Sequence, residues 1–319
     1  MLVRFWGTRG SLPAPLGAAA VREKLREALL KASGRRFETD ADADAFIDLE
    51  LDFATGSTFG GNSPCVEIDA GSDEFVFCDL GSGLRAFGNY AMAKPKRRKD
   101  PVYHAFVSHM HWDHIMGFPF FVPAYVPGHR TIIHGCHPNI EAALRRQHAA
   151  PSFPVEYDQL GGTIVYDIMT PGMPVQVAGM TVHSIPQYHS GDSFGYRFEK
   201  DGKTVVYSTD SEHKLDNPEH TEAFVEFFRG ADVVIFDTMY SLADALTIRQ
   251  DWGHSSNIVA VELCHRAGVK TLCLFHHDPN SDDRAIATLH DETVRFEELS
   301  RESSPLRVLA AYDGMEIRL

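Results

Sequence analysis

Residues 108–114 read Ser-His-Met-His-Trp-Asp-His, so three imidazoles and one carboxylate fall within six positions. Such a density of ligand-type side chains is costly unless something needs them. In an extended segment His109 and His111 point the same way, because side chains alternate with period two. Asp113 and His114 fall on the following turn and address a second point nearby, so one loop can serve two metal ions. Imidazole nitrogen and carboxylate oxygen are donors that zinc takes, with a position kept open for water in a catalytic site; manganese and iron accept the same donors.

The elements around this loop have to hold it. An apolar strand over residues 102–108 leads directly into it. Further strands are expected within 1–13 (a short strand and then a Gly-rich turn) and at 65–68, 74–79, 132–133, 175–185, 195–198, 204–208, 233–236 and 271–275, from apolar runs bounded by turn residues. Helical spacing marks 19–30, 221–229, 257–267 and 282–302. Two groups of strands with helices between them predict an α/β protein with two mixed β-sheets flanked by helices, an αββα layering. The expected organisation is one domain over residues 1–319, with a helical and acidic insertion at about 18–54. That insertion reads as a surface helix and loop, or as a lid or a homodimer contact. The basic run at 94–99 reads as a solvated turn, with a phosphate-contacting patch as its functional alternative.

Composition narrows the field. With 30 Lys and Arg against 44 Asp and Glu, the formal net charge is −14, the wrong sign for a large RNA partner. Five cysteines (Cys65, Cys78, Cys136, Cys264, Cys273) are odd in number, contain no Cys-x-x-Cys pair and sit mostly in apolar surroundings, which fits reduced thiols better than a disulfide framework. No run is long and apolar enough to span a membrane, and the first residues lack an export signal, so a cytoplasmic, membrane-free protein is expected.

In this context the chain resembles the metallo-β-lactamase superfamily, whose His-x-His-x-Asp-His signature stands at His109, His111, Asp113 and His114. Asp79, in Asp-Leu-Gly-Ser-Gly, is similar to the strand-ending aspartate that orients a ligand histidine. His189 resembles the next metal histidine, Asp210 the bridging aspartate and His276 the last ligand, with His277 competing for that place. The resemblance implies that His109, His111 and His189 hold one divalent ion, that Asp113, His114 and His276 hold the other, and that Asp210 bridges.

The stretch Gly253-His254-Ser255-Ser256, opening a helix ahead of the strand that ends at His276, resembles the phosphodiesterase branch that includes the tRNA 3′-processing endonucleases. The resemblance implies that His254 meets the scissile phosphate. A histidine just ahead of a helix N-terminus, with Ser255 as its cap, also suits an anion on physical grounds. Arg9 and Asn62, in Gly-rich turns, are expected to line the substrate pocket together with Ser255 and His277. The function expected is hydrolysis of a small phosphodiester, a cyclic nucleotide or short oligonucleotide, by a zinc-bridged hydroxide, with Asp113 and Asp210 holding and orienting it and His254 as the proton donor. Two alternatives stay open on the same residues: hydrolysis of an ester, lactone or thioester, and a metal-containing sensor without turnover.

Overall fold

The computed structural model describes residues 1–94, 100–213, 217–240, 253–302 and 304–319. Two seven-stranded sheets face each other. The first runs β14 (Glu316–Arg318), β1 (Leu2–Gly7), β2 (Cys65–Asp69), β3 (Phe75–Cys78), β4 (Val102–Phe106), β5 (Arg130–Gly135), β6 (Thr163–Ile168). The second runs β13 (Arg307–Ala310), β12 (Thr271–Phe275), β11 (Val233–Asp237), β10 (Lys203–Ser208), β9 (Ser193–Lys200), β8 (Met180–Gln187), β7 (Val175–Val177). Each is mixed: β3 to β6 are parallel in the first, and β10 to β13 in the second.

Three apolar cores give the layering its physical basis. Between the sheets, Val3, Phe5, Phe106, Tyr196, Tyr207 and Phe275 interdigitate. Outside the first sheet, helix α4 (Leu84–Ala93) buries Leu84, Phe87, Gly88 and Ala91, a helical stripe, and Leu84 and Phe87 pack with Phe77 and Phe121. Outside the second, α7 (Pro218–Phe228) and α8 (Asn257–Ala267) pack Phe224, Phe228 and Leu263 on Val234 and Leu272. Strands β11 and β12 are buried along their whole length, as parallel strands covered on both faces must be. The predicted αββα arrangement is the one observed.

Local departures have local causes. The strand predicted over 175–185 is a hairpin, because Ala178 and Gly179 both take left-handed backbone (φ 50° and 79°) and turn β7 into β8. Strands β6, β13 and β14 escaped the sequence reading: β6 is largely solvent-facing, and β13 and β14 are edge strands of four and three residues. Helices α4 and α6 (Ile140–Gln147) were missed as well, and the turn after β4 closes as the single-turn helix α5 (Trp112–Ile115). The stretch expected to be an insertion carries α1 (Ala18–Lys31), α2 (Asp40–Glu50) and the short α3 (Phe53–Gly56). The acidic stretch folds as α2 because Thr39 and Asp42 form a reciprocal capping box, and Asp40 and Asp42 sit at the positive end of the helix. The basic run keeps only Lys94 inside the described residues; 95–99 lie outside them. Helix α9 (Asp283–Ser300) closes the outer layer. Among the described residues no helix is long and apolar enough to cross a membrane.

Candidate metal centre

The cluster is built at strand ends. Asp79 follows β3, the 108–114 loop follows β4, His189 follows β8, Asp210 follows β10, Asp237 ends β11 and His276 follows β12. Both sheets thus send their C-terminal ends to one rim. Three of these residues are in the left-handed backbone region: Asp79 at φ 59°, Asp210 at 48° and His276 at 62°. Aspartate tolerates this conformation through local hydrogen bonds, whereas for histidine it costs on the order of 1–2 kcal/mol. The chain leaves each strand in a sharp turn that aims the side chain across the rim.

Two groups of ligand-type atoms result. In the first, His109, His111 and His189 lie with their nitrogens within 4.8 Å of one another. His189 Nε2 faces His111 Nδ1 at 3.1 Å, and His109 Nε2 is buried without a partner. In the second, Asp113, His114 and His276 converge: His114 Nε2 lies 3.2 Å from His276 Nε2, and Asp113 Oδ2 lies 3.1 and 3.3 Å from these two nitrogens. Asp210 spans the groups. Its Oδ2 is 3.7 Å from His109 and 3.6 Å from His189, while its Oδ1 is 3.2 Å from both His114 and His276.

A second ring of contacts fixes these side chains. His189 Nδ1 donates to the Gly253 carbonyl at 2.8 Å, leaving Nε2 turned inward. Asp79 takes His114 Nδ1 at 2.7 Å, the Tyr207 hydroxyl at 2.6 Å, and both the amide and the hydroxyl of Ser108. Asp79 is therefore the orienting carboxylate and sets the His114 tautomer. The Ser11 amide donates to Asp113 Oδ2 at 2.8 Å, tying the N-terminal turn to the cluster. Two glycines allow the fit: a Cβ on Gly10 would stand 2.6 Å from the His276 ring, and one on Gly253 (φ 81°) would stand 2.4 Å from His189 Nδ1.

The electrostatics divide the imidazoles. Burial pushes His109, His111 and His189 below the usual histidine range, with neighbouring imidazoles adding to it in each case. These three are neutral and offer lone pairs. For His114 burial opposes the charge, but Asp113, Asp210 and Asp79 outweigh it and raise it far above the usual value; His276, buried beside Asp210, is likewise raised to about 10. Among the described residues no lysine or arginine reaches Asp113 or Asp210, so imidazole protons alone balance these carboxylates. A divalent cation on the same atoms replaces those protons. The donor set, the orphaned His109 nitrogen and the lack of any other cation all fit metal ions.

His254 joins the cluster. Its Nδ1 donates to Asp237 Oδ2 at 2.7 Å, it stacks on the His276 ring at 5.2 Å, and it lies 4.0 Å from Asp210. Burial disfavours its charge, yet Asp237 raises it above the ordinary value. The sequence reading missed Asp237, although a carboxylate closing a wholly apolar strand was a visible signal. It missed Ser108, Tyr207 and Gly10 too; Tyr207 and Gly10 reach the site only through the tertiary fold.

Four residues expected at the substrate face elsewhere. Arg9 is 2% exposed and spends its guanidinium on the carbonyls of Gly60, Asp278 and Ser281, so it braces loops and cannot fork onto a phosphate. Asn62 is committed to Asp313 and Ser82. Ser255 bonds Ser211 and His213, and the cap of α8 is Ser256 instead. His277 turns away: its Nε2 meets the Ala311 carbonyl at 2.8 Å, and burial holds the ring near neutrality with a value of about 4. His276 leaves β12 in a left-handed turn (φ 62°), which aims its ring into the cluster while the next side chain is carried to the other side. His276, not His277, enters the cluster.

A family model described as the beta-lactamase superfamily domain matches residues 66–277. The chain is 23% identical over 266 residues to the Ribonuclease Z of Haloarcula marismortui, covering 68% of this chain and 80% of that one. It is 24% identical over 247 residues to the Ribonuclease Z of Picosynechococcus sp., covering 63% and 74%. Among solved structures, the metallo-beta-lactamase fold protein YhfI of Bacillus subtilis is similar, with a TM-score of 0.63 at 17% identity over 99% of this chain and 98% of that one. The short form of human tRNase Z is similar with a TM-score of 0.57, also at 17% identity, over 100% and 99%.

Proposed function

We propose, from the premise that the chain belongs to the beta-lactamase superfamily, that it is a dinuclear metallo-phosphodiesterase acting on a small phosphodiester, a cyclic nucleotide or a short oligonucleotide. The observation that carries this reading is the Asp237–His254 pair set against Asp210 and His276. An alkoxide that departs from phosphorus takes up a proton, and this carboxylate-raised imidazole beside the cluster can supply it. The curated relatives named Ribonuclease Z support the same class of bond.

His109, His111 and His189 would hold one ion and Asp113, His114 and His276 the other, with Asp210 shared. Nitrogen and oxygen donors favour zinc, with manganese and iron as alternatives. When bound, such ions acidify a water and neutralise the non-bridging oxygens of a phosphate. The chain's own groups do the rest. Asp237 fixes the His254 Nδ1–H, so that Nε2 is the atom that faces the substrate and, being protonated, gives its proton to the leaving oxygen. Asp210, pinned by the Thr209 hydroxyl at 2.6 Å, keeps both groups in register. The net charge of −14 favours a small substrate over a large RNA. Five unpaired cysteines are in keeping with a cytoplasmic location.

The test is hydrolysis of bis(p-nitrophenyl) phosphate by zinc- and manganese-loaded protein, with metal content measured in parallel. Asp113→Ala is expected to lose both turnover and metal. On the dinucleotide thymidylyl-thymidine, whose leaving alkoxide needs a proton, His254→Ala is expected to keep its metal and lose about 10²-fold or more in kcat; on bis(p-nitrophenyl) phosphate, whose nitrophenolate departs unprotonated, the loss is smaller. Full turnover of the dinucleotide in His254→Ala refutes the proton-donor role, and no phosphodiester turnover with any metal transfers the proposal to esters, lactones or thioesters.

A further inference from the structure

The loop that carries the ligand-type residues has a second face. Met110 and Trp112 alternate with His109, His111 and Asp113, and they line a cleft of about 480 Å³ together with Met116, Arg146 and Gln147. Its size is that of a small-molecule site. Trp112 is 76% exposed, the second most exposed of the large apolar side chains among the described residues, and it stands one residue from His111. Leaving an indole in water beside a reactive centre is a cost that a ligand relieves.

The charge of the cleft is unlike that of the chain. No carboxylate lines it, whereas three other clefts among the described residues are lined by Glu67 and Glu74, by Glu199 and Glu226, or by Asp278 and Glu292. Arg146 is its one ionic group, and its guanidinium has no ion pair or hydrogen bond among the described residues, while its neighbour Arg145 is spent on Glu141 and Asp158. In a protein of net charge −14, an unspent guanidinium in a carboxylate-free cleft selects an anion. Gln147 adds a third observation: its side-chain oxygen is buried with no hydrogen-bond partner, so turning the carboxamide into the cleft breaks no bond at that atom.

We propose that this cleft is a nucleobase subsite, in which a base stacks on Trp112, offers an amino group to Gln147, and places the phosphate flanking the scissile one against Arg146. Resting on the phosphodiesterase reading, this names the substrate class as a short single-stranded oligonucleotide and not a cyclic mononucleotide, which has no second phosphate for Arg146. Stacking on an aromatic tolerates any base, so the subsite sets length more than sequence.

The probe is a fluorescein-labelled hexadeoxyadenylate with phosphorothioate linkages, which are cleaved slowly, titrated by anisotropy into the metal-loaded protein and its variants. Trp112→Ala is expected to weaken binding about 10-fold, with Trp112→Phe restoring most of it. Arg146→Ala is expected to weaken binding several-fold and to lower the salt dependence by about one counterion, with Arg146→Lys keeping the slope. Thermal midpoints equal to that of the parent certify folding. Equal affinity in the parent, Trp112→Ala and Arg146→Ala overturns the subsite, and it leaves the phosphodiesterase reading standing if the parent still hydrolyses bis(p-nitrophenyl) phosphate. If the parent hydrolyses no phosphodiester, that reading fails whatever the probe does.

Discussion

The strand-end cluster and the insertion at α1 to α3 treat burial in opposite ways. In the cluster, His109, His114 and Asp79 have no exposed surface at all, and Asp210 and His276 have 2% and 1%. Helix α1 buries no residue, and its Leu25, Leu29 and Leu30 stand 59%, 72% and 70% in water. Polar groups are inside and leucines are outside, the reverse of the usual partition. Buried ligand-type groups are retained at a cost in stability because they create a site, and Asp79, Ser108, Ser11 and the Gly253 carbonyl hold His114, His109, Asp113 and His189 in place. The insertion is tied to the rest of the chain by ion pairs, Lys24 to Asp283 and Glu27 to Arg284, and by the ring of Phe53 against Phe59 and Tyr312.

The difference is broken most directly at Gly253. A methyl group there meets His189 Nδ1 and forces a side chain into a left-handed backbone. Gly253→Ala is expected to displace His189 and to lower phosphodiester turnover by about 10²-fold, the scale set by an ångström of misplacement. It should also lose about 1–2 kcal/mol of stability. Kinetics and denaturant melts on the same preparation check both.

Acid sharpens the comparison, since buried imidazoles also exist just beyond the cluster. His213 is sealed among Phe224, Phe228 and Phe236, and burial together with His220 pushes it down to about 3. It stays neutral in the folded protein, while in the unfolded chain it takes up a proton near the ordinary value of about 6.5. Stability is therefore whole above that pH and is lost as pH falls from about 6.5 towards 3, at up to about 1.4 kcal/mol per pH unit for this one group. His213→Phe is expected to flatten the slope between pH 6 and 4 relative to the parent, read from urea melts at each pH.

The smallest effect belongs to the insertion. Leu29→Lys on the exposed face of α1 is expected to change stability by no more than about 0.5 kcal/mol and to leave turnover alone. A loss of several kcal/mol in a thermal melt would mean that the leucine face is covered in solution and that the contrast with the cluster is false.

Much of this was legible in the sequence because it is local. The His109 to His114 spacing sits in one loop, the strand before it is an apolar run, and each later strand end announces itself where such a run stops at His189, Asp210 or His276. Helix α2 was half legible: its capping box at Thr39 and Asp42 is a local signal, although it lies in a stretch too acidic to show an apolar face. What failed were statements about where a side chain goes after its strand ends. Arg9 in a Gly-rich turn looks the same in sequence whether it reaches a substrate or braces three carbonyls, and the carbonyls of Asp278 and Ser281 lie about 270 residues away.

The sequence by itself determined the donor chemistry and the αββα layering, because ligand type is a property of the residue and layering follows from hydrophobic period. Only the tertiary structure decided the rest. The choice of His276 over His277 hangs on a left-handed turn at the end of β12. The pairing of Asp237 with His254, and of Asp79 with Tyr207 and His114, depends on adjacent parallel strands ending at one rim and on two sheets meeting face to face. Such contacts join residues far apart in the chain, and no local pattern records them.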